Sequence, residues 1–263
     1  MTLALKALAG LVALYALLIA LLFVAQSRLI YPAPQIRHDP APGFEAVQLE
    51  TSDGLLLTGH WRAPDPDRAT VLWFHGNAGS LAGAARETRV LAEAGYGIML
   101  APYRGYAAEE GHPSEAGFAR DGRAALAFIR KAGVAPQQLI VAGNSIGTGT
   151  AVAMASEAQP AALILVSPLT SLADVAGGAL PFVPARSLLR DRYDNAARIA
   201  ALDLPILVLH GTADRVVPVS HGRTLSGLND RADFTAFEGA GHDLSFHEET
   251  QRVQRDWLAK QGL

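Results

Sequence analysis

Apolar and polar positions fall into three regimes along the chain. Residues 7–25 are nineteen positions without charge and with little polarity. As a helix rising about 1.5 Å per residue they span roughly 28 Å, close to the hydrocarbon thickness of a bilayer. Residues 32–43 hold four prolines and read as a linker. Beyond them, short apolar runs alternate with longer segments of mixed pattern. Residues 45–51 and 55–62 surround the turn signal Ser52-Asp53-Gly54 and predict an antiparallel hairpin. Residues 70–74, 97–101 and 206–209 read as buried strands, and residues 138–142, 163–166 and 234–237 as strands. Between them, residues 80–94, 114–132, 146–158 and 244–261 read as helices, two of them closed by Gly95 and Gly133. Strand then helix, repeated, predicts an α/β domain with a mostly parallel central sheet and helices on both faces.

The domain plan is an N-terminal membrane segment over 1–28, a proline-rich linker over 29–43 and a globular domain over 44–263. Two readings of the first segment compete: a retained anchor, or a signal peptide cut near Ala25-Gln26-Ser27. The apolar run exceeds the usual 7–15 residues of a signal core, which favours the anchor. Lys6 lies on one side of the span, Arg28 and Arg37 on the other, so charge leaves orientation nearly balanced. The orientation taken is amino terminus inside and the globular domain on the periplasmic face of a bacterial inner membrane.

Composition narrows the chemistry. The formal charge is -3, and the lysines are Lys6, Lys131 and Lys260, with no basic run that could track phosphates. No nucleic-acid partner is expected. The chain has no cysteine, which removes disulfides, thiolate metal sites and cysteine nucleophiles. His242 and His247 are five apart and do not share a helix face as two metal ligands would. No metal and no cofactor is expected.

Gly143-Asn144-Ser145-Ile146-Gly147 reads G-x-S-x-G between a predicted strand and a small-residue helix. A serine on so sharp a turn strains its backbone, and glycines two residues either side remove the collisions. The turn also sets Ser145 at a helix amino end, where free N–H groups favour developing negative charge. Gly143, Gly147 and Gly149 together resemble a dinucleotide loop, but the Tyr-x-x-x-Lys of short-chain dehydrogenases is absent. Positions 2, 127 and 256, four before each lysine, hold threonine, alanine and aspartate. The glycines also sit mid-chain rather than in the first βα turn.

His242 follows a late strand in the glycine-rich loop Gly239-Ala240-Gly241, placed to take a proton from Ser145 and return it to a leaving group. His38, His60, His112, His210, His221 and His247 read as ordinary surface or packing histidines. Asp214, in a loop after the strand at 206–209, is the expected acid behind His242; Asp174 and Asp194 compete for that role. His75-Gly76-Asn77-Ala78-Gly79 fits an oxyanion loop. The expected donors are the backbone N–H groups of Asn77 and Ile146, with Ala78 as the substitute for Asn77.

These motifs, with Tyr103-Arg104-Gly105-Tyr106 and Gly111-His112-Pro113-Ser114-Glu115 and with Asp194 before Ile199, occur in the order seen in Bem46-like α/β hydrolases. The resemblance covers about residues 44–260. It implies an α/β-hydrolase fold and a serine hydrolase, often membrane-associated, acting on ester, thioester or peptide bonds. One departure is Ala107-Ala108, where a glycine often follows in the family. Residues 168–200 are short for a full lid, so a small cap of one or two short helices is expected. Leu180, Phe182 and Val183 are candidates there for an acyl-binding wall. The function expected is a membrane-anchored serine hydrolase with Ser145, Asp214 and His242 as triad, acting on small-molecule or lipid acyl substrates. The alternatives are a serine peptidase of the prolyl-oligopeptidase or S33 type, which would want an extra domain or large cap, and a non-catalytic binding protein, which would usually lose a triad member.

Overall fold

The computed structural model of the protein describes residues 2–263. One long helix, α1 (Leu3–Ile30), precedes the domain. The hairpin follows as β1 (Glu45–Glu50) and β2 (Leu56–Arg62), then β3 (Thr70–Phe74), α2 (Leu81–Glu87), α3 (Arg89–Glu93), β4 (Gly97–Leu100) and α4 (Glu115–Lys131). The second half runs β5 (Leu139–Asn144), α5 (Gly147–Ala158), β6 (Ala162–Val166), α6 (Leu172–Ala179), α7 (Ala185–Leu188) and α8 (Asn195–Ile199). It closes with β7 (Ile206–Gly211), α9 (Ser220–Gly227), β8 (Ala232–Phe237) and α10 (Glu248–Lys260).

The eight strands form one sheet in the order β1-β2-β4-β3-β5-β6-β7-β8. The hairpin and its join to β4 are antiparallel; from β4 to β8 every pairing is parallel. β3 to β7 are buried along their whole length. Helices cover both faces of such strands, which is why they read as continuous apolar runs. Side chains alternate between two cores. Leu72, Phe74, Val141, Leu163, Leu165 and Val208 face one. Val71, Trp73, Ile140, Ala142, Ile164 and Leu209 face the other. Strand order reverses at β3, between β4 and β5, so the loops leaving β3 and β5 part there and open a crevice at the carboxyl ends of the strands.

Several expectations change in detail. The segment 80–94 is two helices: Ser80 caps α2 by accepting from the Gly83 N–H at 3.1 Å, and Thr88 divides α2 from α3. The closing segment begins with a tight 3₁₀ turn, Leu244–Phe246, before α10. The cap carries three short helices, α6, α7 and α8, rather than one or two. The stretch after α1 has no helix or strand until β1, but it is anchored. The Tyr31 ring is buried edge-on against Phe118 at 5.4 Å, and its hydroxyl meets Asp191 at 2.7 Å and Tyr193 at 2.9 Å. Ala107 and Ala108 adopt φ of 49° and 59°, the left-handed conformation a glycine would take without strain.

Candidate active site

The turn from β5 into α5 is tight because two side chains are missing. A methyl on Gly143 would lie 2.6 Å from the Gly147 carbonyl oxygen, and one on Gly147 would overlap the carbonyls of Phe74 and His75. Ser145 takes φ of 54° at the apex, a conformation that costs about 1–3 kcal/mol and survives only where surroundings impose it. They do. The Ser145 N–H donates to Val166 O at 2.9 Å, and its carbonyl accepts from the Thr148 N–H at 3.0 Å and the Thr148 hydroxyl at 2.6 Å.

Ser145 Oγ is 2.9 Å from Nε2 of His242, and Nδ1 of His242 is 2.7 Å from Oδ2 of Asp214. The carboxylate accepts from Nδ1–H, which leaves Nε2 as the acceptor for the serine hydroxyl. Two loops are laced together to hold this line. The Ala213 N–H donates to Ala240 O at 3.0 Å, Thr212 N–H to Phe237 O at 3.0 Å, and Gly239 N–H to the Thr212 hydroxyl at 2.9 Å. The other Asp214 oxygen accepts from the N–H groups of Val216 and Val217, both at 2.9 Å. Burial pushes the Asp214 pKa up. Contacts with His210, His242 and the Val217 N–H outweigh it and hold the carboxyl well below the usual range.

The competing acids stand elsewhere. Asp174 accepts from the Thr170 hydroxyl at 2.8 Å and pairs with Arg186, while Asp194 sits at the start of α8. Both ring nitrogens of His242 are already taken by Ser145 and Asp214.

Asn77 and Ile146 border the same cleft as Ser145. Among the described residues, neither backbone N–H donates to a backbone acceptor. The Asn77 side chain is occupied: its amide donates to the Ile30 carbonyl at the end of α1, and its oxygen accepts from the Tyr106 hydroxyl at 2.8 Å. His75 is fully enclosed beside Tyr103, and burial lowers its pKa to about 4, so it stays neutral.

A family model described as serine aminopeptidase, S33, matches residues 65–193. An uncharacterized protein of Mycobacterium tuberculosis is 36% identical, with 83% of this chain and 80% of that protein covered. Bem46 of Schizosaccharomyces pombe is 29% identical, covering 97% of this chain and 93% of its own length.

The chain belongs to the Bem46-like α/β-hydrolase family.

A solved esterase of Pyrococcus furiosus superposes with a TM-score of 0.71 over 87% of this chain and 96% of its own, at 17% identity. At that identity the likeness shows the fold alone, and the fold is that of the α/β hydrolases.

In this Bem46-like hydrolase the cleft over Ser145 measures about 560 Å³ and is walled by Leu29 and Ile30 of α1, Leu172 and Val175 of α6, Val216 and Phe246. The apolar cap residues singled out in the sequence are not on it. Leu180 and Val183 border a neighbouring cavity against α1, and Phe182 is 84% exposed. α6 and the end of the N-terminal helix form the wall instead.

Two residues escaped the sequence reading. His210, taken there as ordinary, is fully buried with Nε2 2.8 Å from Val217 O and 3.5 Å from Asp214. Glu87 lies behind the elbow and receives three donors: Trp73 Nε1 at 2.8 Å, Asn144 Nδ2 at 3.0 Å and the Ser245 hydroxyl at 2.8 Å. It thereby ties β3, the turn at Ser145 and the loop carrying His242 to one carboxyl group. The spacing His210-x-x-x-Asp214 was a signal for the first; nothing local distinguishes Glu87 from a solvated helix charge.

Proposed function

We propose that the protein is a membrane-anchored serine hydrolase that cleaves carboxylic esters or thioesters. The observation that carries the reading is the hydrogen-bonded line from Ser145 through His242 to Asp214, at 2.9 and 2.7 Å, on a strained turn at the end of β5. Ser145 Oγ attacks the carbonyl carbon while His242 takes its proton, with charge on the imidazolium balanced by Asp214. The tetrahedral oxyanion is met by the N–H groups of Ile146 and Asn77, each worth about 3–4 kcal/mol of barrier. The leaving alcohol or thiol takes the proton from His242. Water, activated by the same histidine, then releases the acyl group. No cofactor enters the reaction. The anchoring role of α1 is supported by its 28 residues and its largely exposed apolar surface.

The test is labelling by a fluorophosphonate probe. Wild type should label, Ser145→Ala should not, and His242→Ala should label far more slowly. Asp214→Asn should slow labelling by roughly 10³–10⁴-fold, the scale expected when the supporting acid is lost. A folded wild type that never labels would refute the reading. Turnover of a butyryl ester beside an aminoacyl amide then separates the esterase from the peptidase alternative.

A further inference from the structure

The cap presents an uncharged tip beside the N-terminal helix. Residues 176–185 carry no charge, and Leu180 and Phe182 are 50% and 84% exposed. The tip is bound to α1: the Tyr15 hydroxyl donates to the Phe182 carbonyl at 2.7 Å. Tyr15 precedes Ile30 by fifteen residues, about 22 Å along a helix. Ile30 itself touches Asn77 at the Ser145 cleft. The cap therefore runs from the candidate active site back along the depth that α1 would occupy in a bilayer.

Most N–H groups of the tip are absent or paired within the protein, as a solvent that offers no hydrogen bonds requires of them. Pro181 and Pro184 have no N–H. Those of Leu180, Val183 and Ala185 donate to Ala176, Leu180 and Val183 at 2.8, 2.9 and 2.7 Å, and the Phe182 carbonyl takes Tyr15, leaving the Phe182 N–H. Charge returns where the tip ends. Arg186, Arg190 and Arg192 are exposed, as is Arg28 of α1, and the Arg190 guanidinium lies 4.5 Å over the Phe23 ring. Arginines and an aromatic ring at the end of an apolar stretch mark a membrane interface.

Behind the tip, between α1 and the cap, lies a cavity of about 140 Å³ bounded by Leu22, Phe23, Leu180, Val183 and Leu188, its exposed wall atoms all apolar. Leu29, Ile30 and Ala176 border both this cavity and the cleft holding Ser145. The cavity on the lipid-facing side of the cap and the cleft holding the serine thus adjoin across apolar residues.

We infer that residues 176–185 sit in the bilayer beside α1, and that the passage between them receives the long fatty acyl chain of a membrane-resident ester or thioester. The inference rests on the serine-hydrolase reading and names the substrate class of that site. A chain that enters sideways from hydrocarbon stays out of water, whereas drawing it through water costs about fourfold in partitioning per methylene. At the serine, the Oγ–C bond forms and the C–O or C–S bond breaks. The leaving group takes the proton from His242, and water then yields the free fatty acid and restores Ser145.

The full-length chain in phosphatidylcholine vesicles provides the test. Ala176→Phe puts a ring at the shared border and should lower the ratio of palmitoyl to butyryl ester kcat/KM at least tenfold. An unchanged ratio overturns the passage. Because that bulk could unseat α6, a second measurement stands apart from it. The chain has no cysteine, so Phe182→Cys accepts a single fluorophore. Quenching by nitroxides on the lipid acyl chains, with protection from iodide, is expected; iodide access without nitroxide quenching overturns the inserted tip. Palmitate release from palmitoyl lysophosphatidylcholine supports a lipid ester as source, and release from an S-palmitoylated peptide in the same vesicles supports a thioester. Release from neither, with butyryl turnover intact, overturns the inference and leaves the hydrolase reading standing. A wild type that neither turns over butyryl ester nor labels with fluorophosphonate overturns both.

Discussion

Glu87 is the residue whose removal tests most directly how the nucleophile turn is held. It is 3% exposed and accepts from Trp73, Asn144 and Ser245. Glu87→Leu strands three buried donors. At about 1–3 kcal/mol each the simple sum is roughly 3–9 kcal/mol. Relaxation and the relief of no longer burying a carboxyl group reduce this, and about 3–5 kcal/mol is expected, as for other buried networks broken from one side. Glu87→Gln keeps the shape and should cost about 1–2 kcal/mol, since its amide must turn N–H groups towards at least one existing donor. Burial raises the Glu87 pKa, against the pull of the bonds from Ser245, Trp73 and Asn144. A raised acid contributes stability in full below its unfolded value of about 4.3, and that contribution is lost as pH rises through the folded value. Wild type should therefore lose stability on going from pH 5 to pH 8 in a way that Glu87→Gln does not. Urea unfolding in detergent micelles reads both effects through Trp73, which is fully buried beside this carboxyl. A Glu87→Leu protein as stable as wild type, or a Gln variant with the wild-type pH slope, would refute the reasoning.

Three further outcomes are expected. Gly147→Ala forces a methyl into the carbonyls of Phe74 and His75; fluorophosphonate labelling should fall at least a hundredfold, with about 2–4 kcal/mol of destabilisation in the same urea assay. Ala108→Gly relieves a left-handed alanine worth about 1–2 kcal/mol and adds about 0.5–1 kcal/mol of chain entropy cost. A net gain of about 0.5 kcal/mol, or a melting temperature higher by about 1–2 °C in calorimetry, should result. Asp214 has a lowered pKa, so its stabilisation is present above the unfolded value of about 3.9 and lost as pH falls below it. The stability gap between wild type and Asp214→Asn should accordingly hold from pH 7 to pH 5 and shrink progressively as pH falls below about 4 towards the lowered folded value, in urea titrations.

Much of the candidate site was legible because the constraints on it are local. Gly143 answers to a backbone collision with Gly147 four residues on, and the glycines before His242 to a loop that must turn sharply; Gly147 is part of the same motif, although the carbonyls it must clear are those of Phe74 and His75. Ser145, Asp214 and His242 each stand in the loop that follows a strand, and parallel strands bring such loops to one edge. The left-handed Ala107 and Ala108 were marked by the glycine absent from their motif. Glu87 and His210 were not legible in the same way. Glu87 meets partners 14, 57 and 158 residues away, and its helix shows no pattern that singles out one charge as buried. The wall of the Ser145 cleft was not legible for the same reason: Leu180 is as apolar as Leu172 and Val175, and only the packing of the cap decides that Leu172 and Val175 border Ser145 while Leu180 and Val183 border the neighbouring cavity.

By itself, the chain's pattern determined an apolar N-terminal helix of bilayer length, an alternating domain whose central parallel strands are buried on both faces, and the three loops that bear serine, aspartate and histidine. These follow from side-chain period, turn chemistry and steric limits that act over a few residues. Tertiary structure alone decided that α1 packs on the cap, that Leu29 and Ile30 wall the cleft, that Tyr31 is buried against Phe118 and Tyr193, and that one glutamate joins three segments behind the serine. Those contacts join residues far apart in the chain. They arise when hydrophobic burial and hydrogen-bond satisfaction are met for the whole domain at once, and no local pattern encodes that.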